Sequence, residues 1–175
     1  MSESTGSARP LRPLARVRGT LSVPGDKSIS HRALLFGAVA CGETRVAGLA
    51  PGADVRSTRG AIETLGIRVE DAGGEVRISG RGWDGLWRDP AHGVAEIDCG
   101  NSGTTSRLLL GLLAGARGRF RLRGDASLSA RPMRRVTGPL AAFGARIEDR
   151  STLPLVVEGT ALRAAAVDTG VPSAQ

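Results

Sequence analysis

Apolar residues recur at three- and four-residue intervals over 29–40, 54–65, 105–114 and 133–143, the spacing of helices with one buried face. Between these stretches the pattern shortens to alternation, which predicts strands at 21–23, 44–47, 67–69, 76–78, 96–98, 119–122, 145–147 and 155–157. Gly66 and Gly144 follow the second and fourth helical stretches, where a left-handed residue ends a helix. The elements therefore run in the order βαβαββ, twice. The order is matched residue by residue. With an offset of 75, Gly25 falls on Gly100, Asp26 on Asn101, Arg32 on Arg107, and Leu34 and Leu35 on Leu109 and Leu110. With an offset of 78, AIETLGIRVED at 61–71 lies over PLAAFGARIED at 139–149, the drift a loop insertion gives. A third copy starts at AAVDTGVPSAQ, 165–175, and the chain stops where its first helix is expected, which predicts a truncated chain. The units span about 21–80 and 95–160, behind a disordered tail at 1–10.

Composition narrows the class. The 175 residues are 41% hydrophobic with a net charge of +7, enough apolar material for a packed core. No apolar run approaches the roughly 20 residues that span a bilayer, and MSESTGSARP lacks the apolar stretch of a signal peptide, so a cytoplasmic protein without membrane association is expected. Aromatic residues make up 3% and tyrosine is absent, which leaves few platforms for stacking bases. The densest basic run, RGRFRLR at 117–123, alternates like a strand with one solvated charged face, so nucleic acid is not expected as a partner. Cys41 and Cys99 are too few for a disulfide framework or a zinc site and read as buried thiols. His31 and His92 stand beside no nucleophile or acid that would make either a general base.

One detail of the charge points to chemistry. Of the 24 Lys and Arg residues a single one is lysine, Lys27, inside PGDKS. Lysine is a compact, rotatable point charge where arginine is a wide planar fork, so a site needing one small ammonium among several oxygens selects it. Lys27, Ser28 and Ser30 open a helix whose free N–H groups and dipole favour an anion, and Arg32 follows about one turn along. A P-loop does not fit, because Gly19 lies one residue too far from Gly25 and Asp26 precedes Lys27. CGNSGTTSR at 99–107 repeats the arrangement, with Asn101 and Gly103 at the helix start and Gly103 allowing close backbone approach. The GxGxxG at 80–85 leads into LWRDP rather than a helix, which excludes a dinucleotide fingerprint. Arg131 precedes Pro132, placed at the first position of the next helix, so Arg131 projects from that helix's start while Arg134 and Arg135 face solvent.

These runs together, LSVPGDKSISHRALLFGA at 21–38, GNSGTTSRLLLGLLAG at 100–115, LSARPM at 128–133 and GVPSAQ at 170–175, resemble the EPSP synthase family of enolpyruvyl transferases, over the whole chain after about residue 11. The sister UDP-N-acetylglucosamine enolpyruvyl transferases fit less well, since Lys27 is followed by Ser28 and no cysteine stands near LSARP. The resemblance implies an inside-out α/β barrel built of βαβαββ units, with helix N-termini aimed at a cleft. It implies an enzyme, a monomer when full length, that needs no metal or organic cofactor and acts on phosphoenolpyruvate and shikimate 3-phosphate. Lys27 is implied to touch both substrates, Ser28 and Arg32 the shikimate ring and carboxylate, Gly103 and Asn101 phosphoenolpyruvate, and Arg131 its anion. Ser173 and Ala174 are implied at the shikimate phosphate, and Gln175 at both substrates. Catalytic acid and base residues are implied in a later part of the family's chain, so these residues alone are expected to be inactive. Gly103 implies room for glyphosate, the phosphoenolpyruvate-like inhibitor of the family. A non-catalytic phosphometabolite-binding module is the alternative.

Overall fold

The structure is a computed structural model that describes residues 18–86, 93–148 and 151–168, together with 13, 16 and 170. Helix α1 (Lys27–Val39) begins where the Asp26 carboxylate accepts the Ile29 N–H at 2.7 Å, and it buries Leu34, Leu35 and Ala38. Strand β1 (Cys41–Ala47) and helix α2 (Ala53–Thr64) follow, and the chain leaves α2 through Gly66 at φ +87°. Strands β2 (Arg68–Ala72) and β3 (Glu75–Arg81) form the hairpin. The second half runs β4 (Val94–Asp98), α3 (Gly103–Ala114), β5 (Arg119–Arg123), α4 (Ala126–Ser129), α5 (Arg134–Ala142), β6 (Arg146–Ile147) and β7 (Leu155–Glu158). Gly144, also at φ +87°, does for α5 what Gly66 does for α2.

The two sheets correspond. The first has the order β1-β3-β2 and the second β4-β5-β7-β6, antiparallel except for the parallel β4–β5 pair. Strands β1, β3 and β2 thus occupy the places of β5, β7 and β6, and among the described residues the first sheet has no counterpart of β4. The strand expected at 21–23 belonged there. Instead these residues are irregular, with Leu21 84% and Val23 72% exposed. Three alternating residues carry no pairing partner of their own, and the segment turns into α1 without reaching the β1 edge. The reading of Cys41 is corrected too: it lies exposed at the first position of β1, with no strand outside it among the described residues, whereas Cys99 is buried as expected.

Helices α1, α2 and α3 pack on one another, with α1 lying on β3 and α3 on β5 and β7. Their shared interior holds Leu34, Ile62, Leu109, Leu110 and Leu113 against Ile78, Phe120, Leu122, Leu155 and Val157, all fully buried. Each such side chain contributes roughly 1.5–3 kcal/mol when removed from water. The outer face of the second sheet is charged and balanced. Arg119, Arg121 and Arg123 pair with Glu148, Glu96 and Asp98 at 3.3, 3.3 and 2.9 Å, while Phe120 and Leu122 between them point inward. Arginines so neutralised form a solvated strand face. The helix after Pro132 starts later than expected, at Arg134, because the short α4 turn occupies 126–129 and Arg131 lies between the two.

Candidate functional site

Three helices begin at the same end of the molecule. At α1, Lys27 is the first helical residue, and its ammonium donates to Asp54 Oδ2 at 2.6 Å, near the start of α2. Both partners keep substantial exposure, 56% and 32%, so the pair is weak and Lys27 can exchange Asp54 for another anion. Ser28 and Arg32, four residues apart on one helical face, are also exposed.

At α3 the cap is displaced by one residue relative to α1. Position 101 is the repeat equivalent of the capping Asp26, yet Ser102 is the residue that accepts the Thr105 N–H, at 3.1 Å. Asn101 is thereby free for other work. Its amide nitrogen donates to Asp125 Oδ2 at 2.6 Å, and its carbonyl oxygen accepts from the Arg131 guanidinium at 2.9 Å. Gly103, the first residue of α3, sits under two cations: a Cβ added there runs into Arg107 Nη1 and meets Arg131 Nη1 at 3.4 Å. Arg107 is held by the carbonyls of Gly103 and Pro132 at 3.0 and 3.3 Å. Hydrogen bonding to Asn101, first among the causes, and then to the Leu128 N–H holds the Asp125 carboxyl below the usual range, so it is a carboxylate at neutral pH.

The three starts are tied together from inside. His31 Nδ1 meets Thr58 Oγ1 at 2.6 Å, Thr58 Oγ1 meets Thr105 Oγ1 at 2.6 Å, and the Thr105 hydroxyl lies 2.7 Å from Ser102 Oγ and 3.2 Å from the Asp54 carbonyl. All four of these side chains, His31, Thr58, Thr105 and Ser102, are buried. Burial, opposed by Asp54 and helped by Lys27, lowers the His31 pKa and keeps the ring neutral; its Nε2 has no partner among the described residues.

The structure thus gathers Asn101, Gly103 and Arg131 at one point, with Lys27, Ser28 and Arg32 on the neighbouring helix start. Ser173, Ala174, Gln175 and His92 lie outside the described residues. Asp54, Arg107 and Asp125 were missed in the sequence. For Arg107 the signal was available, since it is the repeat partner of Arg32; the two aspartates carry no local mark. Among the described residues no cluster of three His, Cys, Asp or Glu side chains could hold a metal, and no helix is long and apolar enough to cross a membrane. A cavity of about 390 Å³ beside Leu49, Val55 and Arg59 does not include the converging residues, which stand on an open face. Such a face can hold anions by dipoles and cations, but needs an opposite wall to exclude water.

The sequence profile of the EPSP synthase (3-phosphoshikimate 1-carboxyvinyltransferase) family matches residues 11–175. The chain belongs to the EPSP synthase family. It is 50% identical over 181 aligned residues to the 3-phosphoshikimate 1-carboxyvinyltransferase of Synechococcus sp. strain WH7803, an alignment covering 100% of this chain and 40% of that protein. It is 51% identical over 162 residues to that of Anaeromyxobacter dehalogenans, covering 91% and 36%. An EPSP synthase structure from Acinetobacter baumannii superposes with a TM-score of 0.80 at 41% identity, over 90% of this chain and 36% of that one. A more distant likeness in fold is the enolpyruvyl transferase NikO from Streptomyces tendae, with a TM-score of 0.54 at 22% identity over 79% of this chain and 31% of that one. The chain therefore spans about two fifths of the length of the curated EPSP synthases it matches. These matches favour neither the UDP-N-acetylglucosamine transferase nor the binding-module reading.

Proposed function

We propose that these residues form one wall of the active site of a cytoplasmic 3-phosphoshikimate 1-carboxyvinyltransferase. The reaction moves the enolpyruvyl group of phosphoenolpyruvate to the 5-hydroxyl of shikimate 3-phosphate. The hydroxyl loses its proton as its oxygen bonds to C2 and C3 takes a proton; C3 then gives up a proton as phosphate leaves the tetrahedral adduct, which restores the double bond. What carries the proposal is the convergence of the α1 and α3 N-termini, bearing Lys27 and Gly103, with Arg131 closing over the second. Each helix end offers unpaired N–H groups and about half a positive charge to an anion.

In this reading Lys27 leaves Asp54 to lie between the two substrates, where its single small charge meets oxygens of both. Ser28 and Arg32 take the carboxylate and ring side of shikimate 3-phosphate. Asn101, Gly103 and Arg131 take phosphoenolpyruvate, Ser173 and Ala174 hold the shikimate phosphate, and Gln175 reaches both ligands. The wall binds and orients, and it stabilises charge that builds on the departing phosphate. Proton transfer falls to carboxylates outside these residues, so the 175-residue chain by itself releases no phosphate.

The test is phosphate release from the two substrates by the native-length protein, whose intact mass from its source is measured first. Lys27→Ala lowers kcat/KM by several powers of ten, the scale on which groups stabilising a transition state are felt. Kinetics close to the parent's would remove Lys27 from the site and the proposal with it.

A further inference from the structure

Asp125 stands one residue before the α4 turn, and its two carboxylate oxygens have separate tasks. Oδ1 accepts the Leu128 N–H at 2.8 Å and caps the turn, while Oδ2 accepts the Asn101 amide at 2.6 Å. Its own N–H donates to the Gly100 carbonyl at 2.9 Å, so backbone and side chain grip the same loop. A side-chain amide has a donor end and an acceptor end, whereas a carboxylate only accepts. The NH2 of Asn101 must therefore face Asp125, which leaves its oxygen for Arg131. The guanidinium runs from there to the α3 N-terminus, with Ser127 Oγ at 3.4 Å as a side support.

From this geometry we infer that Asp125 is a positioning residue for phosphoenolpyruvate: it sets which way Asn101 points and, through Asn101, where Arg131 presents its charge. The inference rests on the proposed function, in which Asn101 and Arg131 meet that ligand. Asp125, Asn101 and Arg131 are all exposed, so the contacts fix direction more than they add stability. The repeat supports the assignment. In the first copy the residue at the place of Asn101 is Asp26, and it is occupied in capping α1; in the second copy the cap moves to Ser102 and the side chain is released toward Asp125.

The decisive variant is Asp125→Asn in the native-length protein. Asparagine caps a helix as well as aspartate does, so a capping role alone predicts no change. The introduced amide would spend its oxygen on the cap and turn its NH2 toward the NH2 of Asn101. The Asn101 amide then rotates and meets Arg131 donor to donor. KM for phosphoenolpyruvate is expected to rise roughly tenfold, the worth of one charge-assisted hydrogen bond, while KM for shikimate 3-phosphate stays within about twofold. Asp125→Ser, which caps but has no second acceptor, is expected to give the same selective rise. In an Arg131→Ala background Asp125→Asn adds nothing further. If Arg131→Ala raises KM for phosphoenolpyruvate and both Asp125 variants match the parent, or if the effects simply add, the positioning role is wrong and the proposed function stands. If Arg131→Ala itself leaves that KM unchanged, the proposed function fails, and the inference falls with it.

Discussion

Thr58→Val is the perturbation that best tests whether the buried hydroxyl chain holds the helix starts together. Valine has the shape of threonine, so the core around it keeps its volume, and what is lost is one oxygen that bonds His31 Nδ1 and Thr105 Oγ1, each at 2.6 Å. Two neutral hydrogen bonds contribute about 1 kcal/mol each. The partners do not suffer equally. Thr105 retains Ser102 and the Asp54 carbonyl, whereas the His31 ring, without a partner at Nε2 among the described residues, loses its contact at Nδ1 while fully buried. A buried polar group left unsatisfied costs a further 1–3 kcal/mol or so, partly offset because valine needs no polar partner. The expected loss is about 2–4 kcal/mol, measured as the shift in urea unfolding followed by circular dichroism at pH 7.5. A change below about 0.5 kcal/mol, the size of an ordinary surface substitution, would show that the chain ties nothing together. The same histidine fixes the sign of a pH dependence. Its folded pKa lies below the unfolded value of about 6.5, so above that pH neither state carries the proton. Below it the unfolded chain takes up a proton that the folded chain refuses, and stability falls with pH until the folded pKa is reached, by up to about 1.4 kcal/mol per unit. His31→Asn flattens the slope just below pH 6.5; an unchanged slope would place its origin elsewhere.

Gly103→Ala drives a Cβ into Arg107 Nη1, so the Arg107 guanidinium must swing away, while Arg131 Nη1 is met at an ordinary contact distance of 3.4 Å. If the proposed function holds, inhibition curves of the native-length variant should show weaker glyphosate binding by roughly tenfold, with KM for phosphoenolpyruvate raised as well; superimposable curves would refute the steric argument. The two thiols should differ sharply toward a maleimide at pH 8. Cys41 is exposed and reacts, while burial first, and the Asp98 charge second, push Cys99 up to about 12 and keep it unlabelled until the chain unfolds; a peptide map with both labelled under native conditions would contradict the burial.

What could be read along the chain was whatever short-range spacing controls. The periodicity of Leu34, Leu35 and Ala38, and of Leu109, Leu110 and Leu113, located α1 and α3, and Gly66 and Gly144 marked two helix ends that both adopt φ +87°. Lys27 stood out because no other lysine competes with it. The errors fall where distant segments decide. Whether 21–23 becomes a strand depends on reaching the β1 edge, which no local alternation encodes, and the exposure of Cys41 follows from the same edge. Asp54 and Asp125 gain their importance from residues 27 and 24 positions away, and nothing in their immediate neighbours distinguishes them from other surface acids. The resemblance supplied roles for Lys27, Gly103 and Arg131, while the side chains that aim them became visible only in three dimensions.

The unfilled place beside β1 has a consequence for how this polypeptide behaves in company. In the second sheet the corresponding edge is sealed by β4 along Val94–Asp98, so its backbone groups are spent within the fold. In the first sheet no described residue pairs with that side of a seven-residue strand, which is guarded by the alternating charges of Glu43 and Arg45. Such a rim can be completed by any extended segment of suitable length, and two molecules can complete one another. Self-association of the 175-residue chain should therefore begin at Cys41–Ala47, and a single proline at Arg45, whose N–H faces away from β3, should suppress it while leaving the three helix starts where they are.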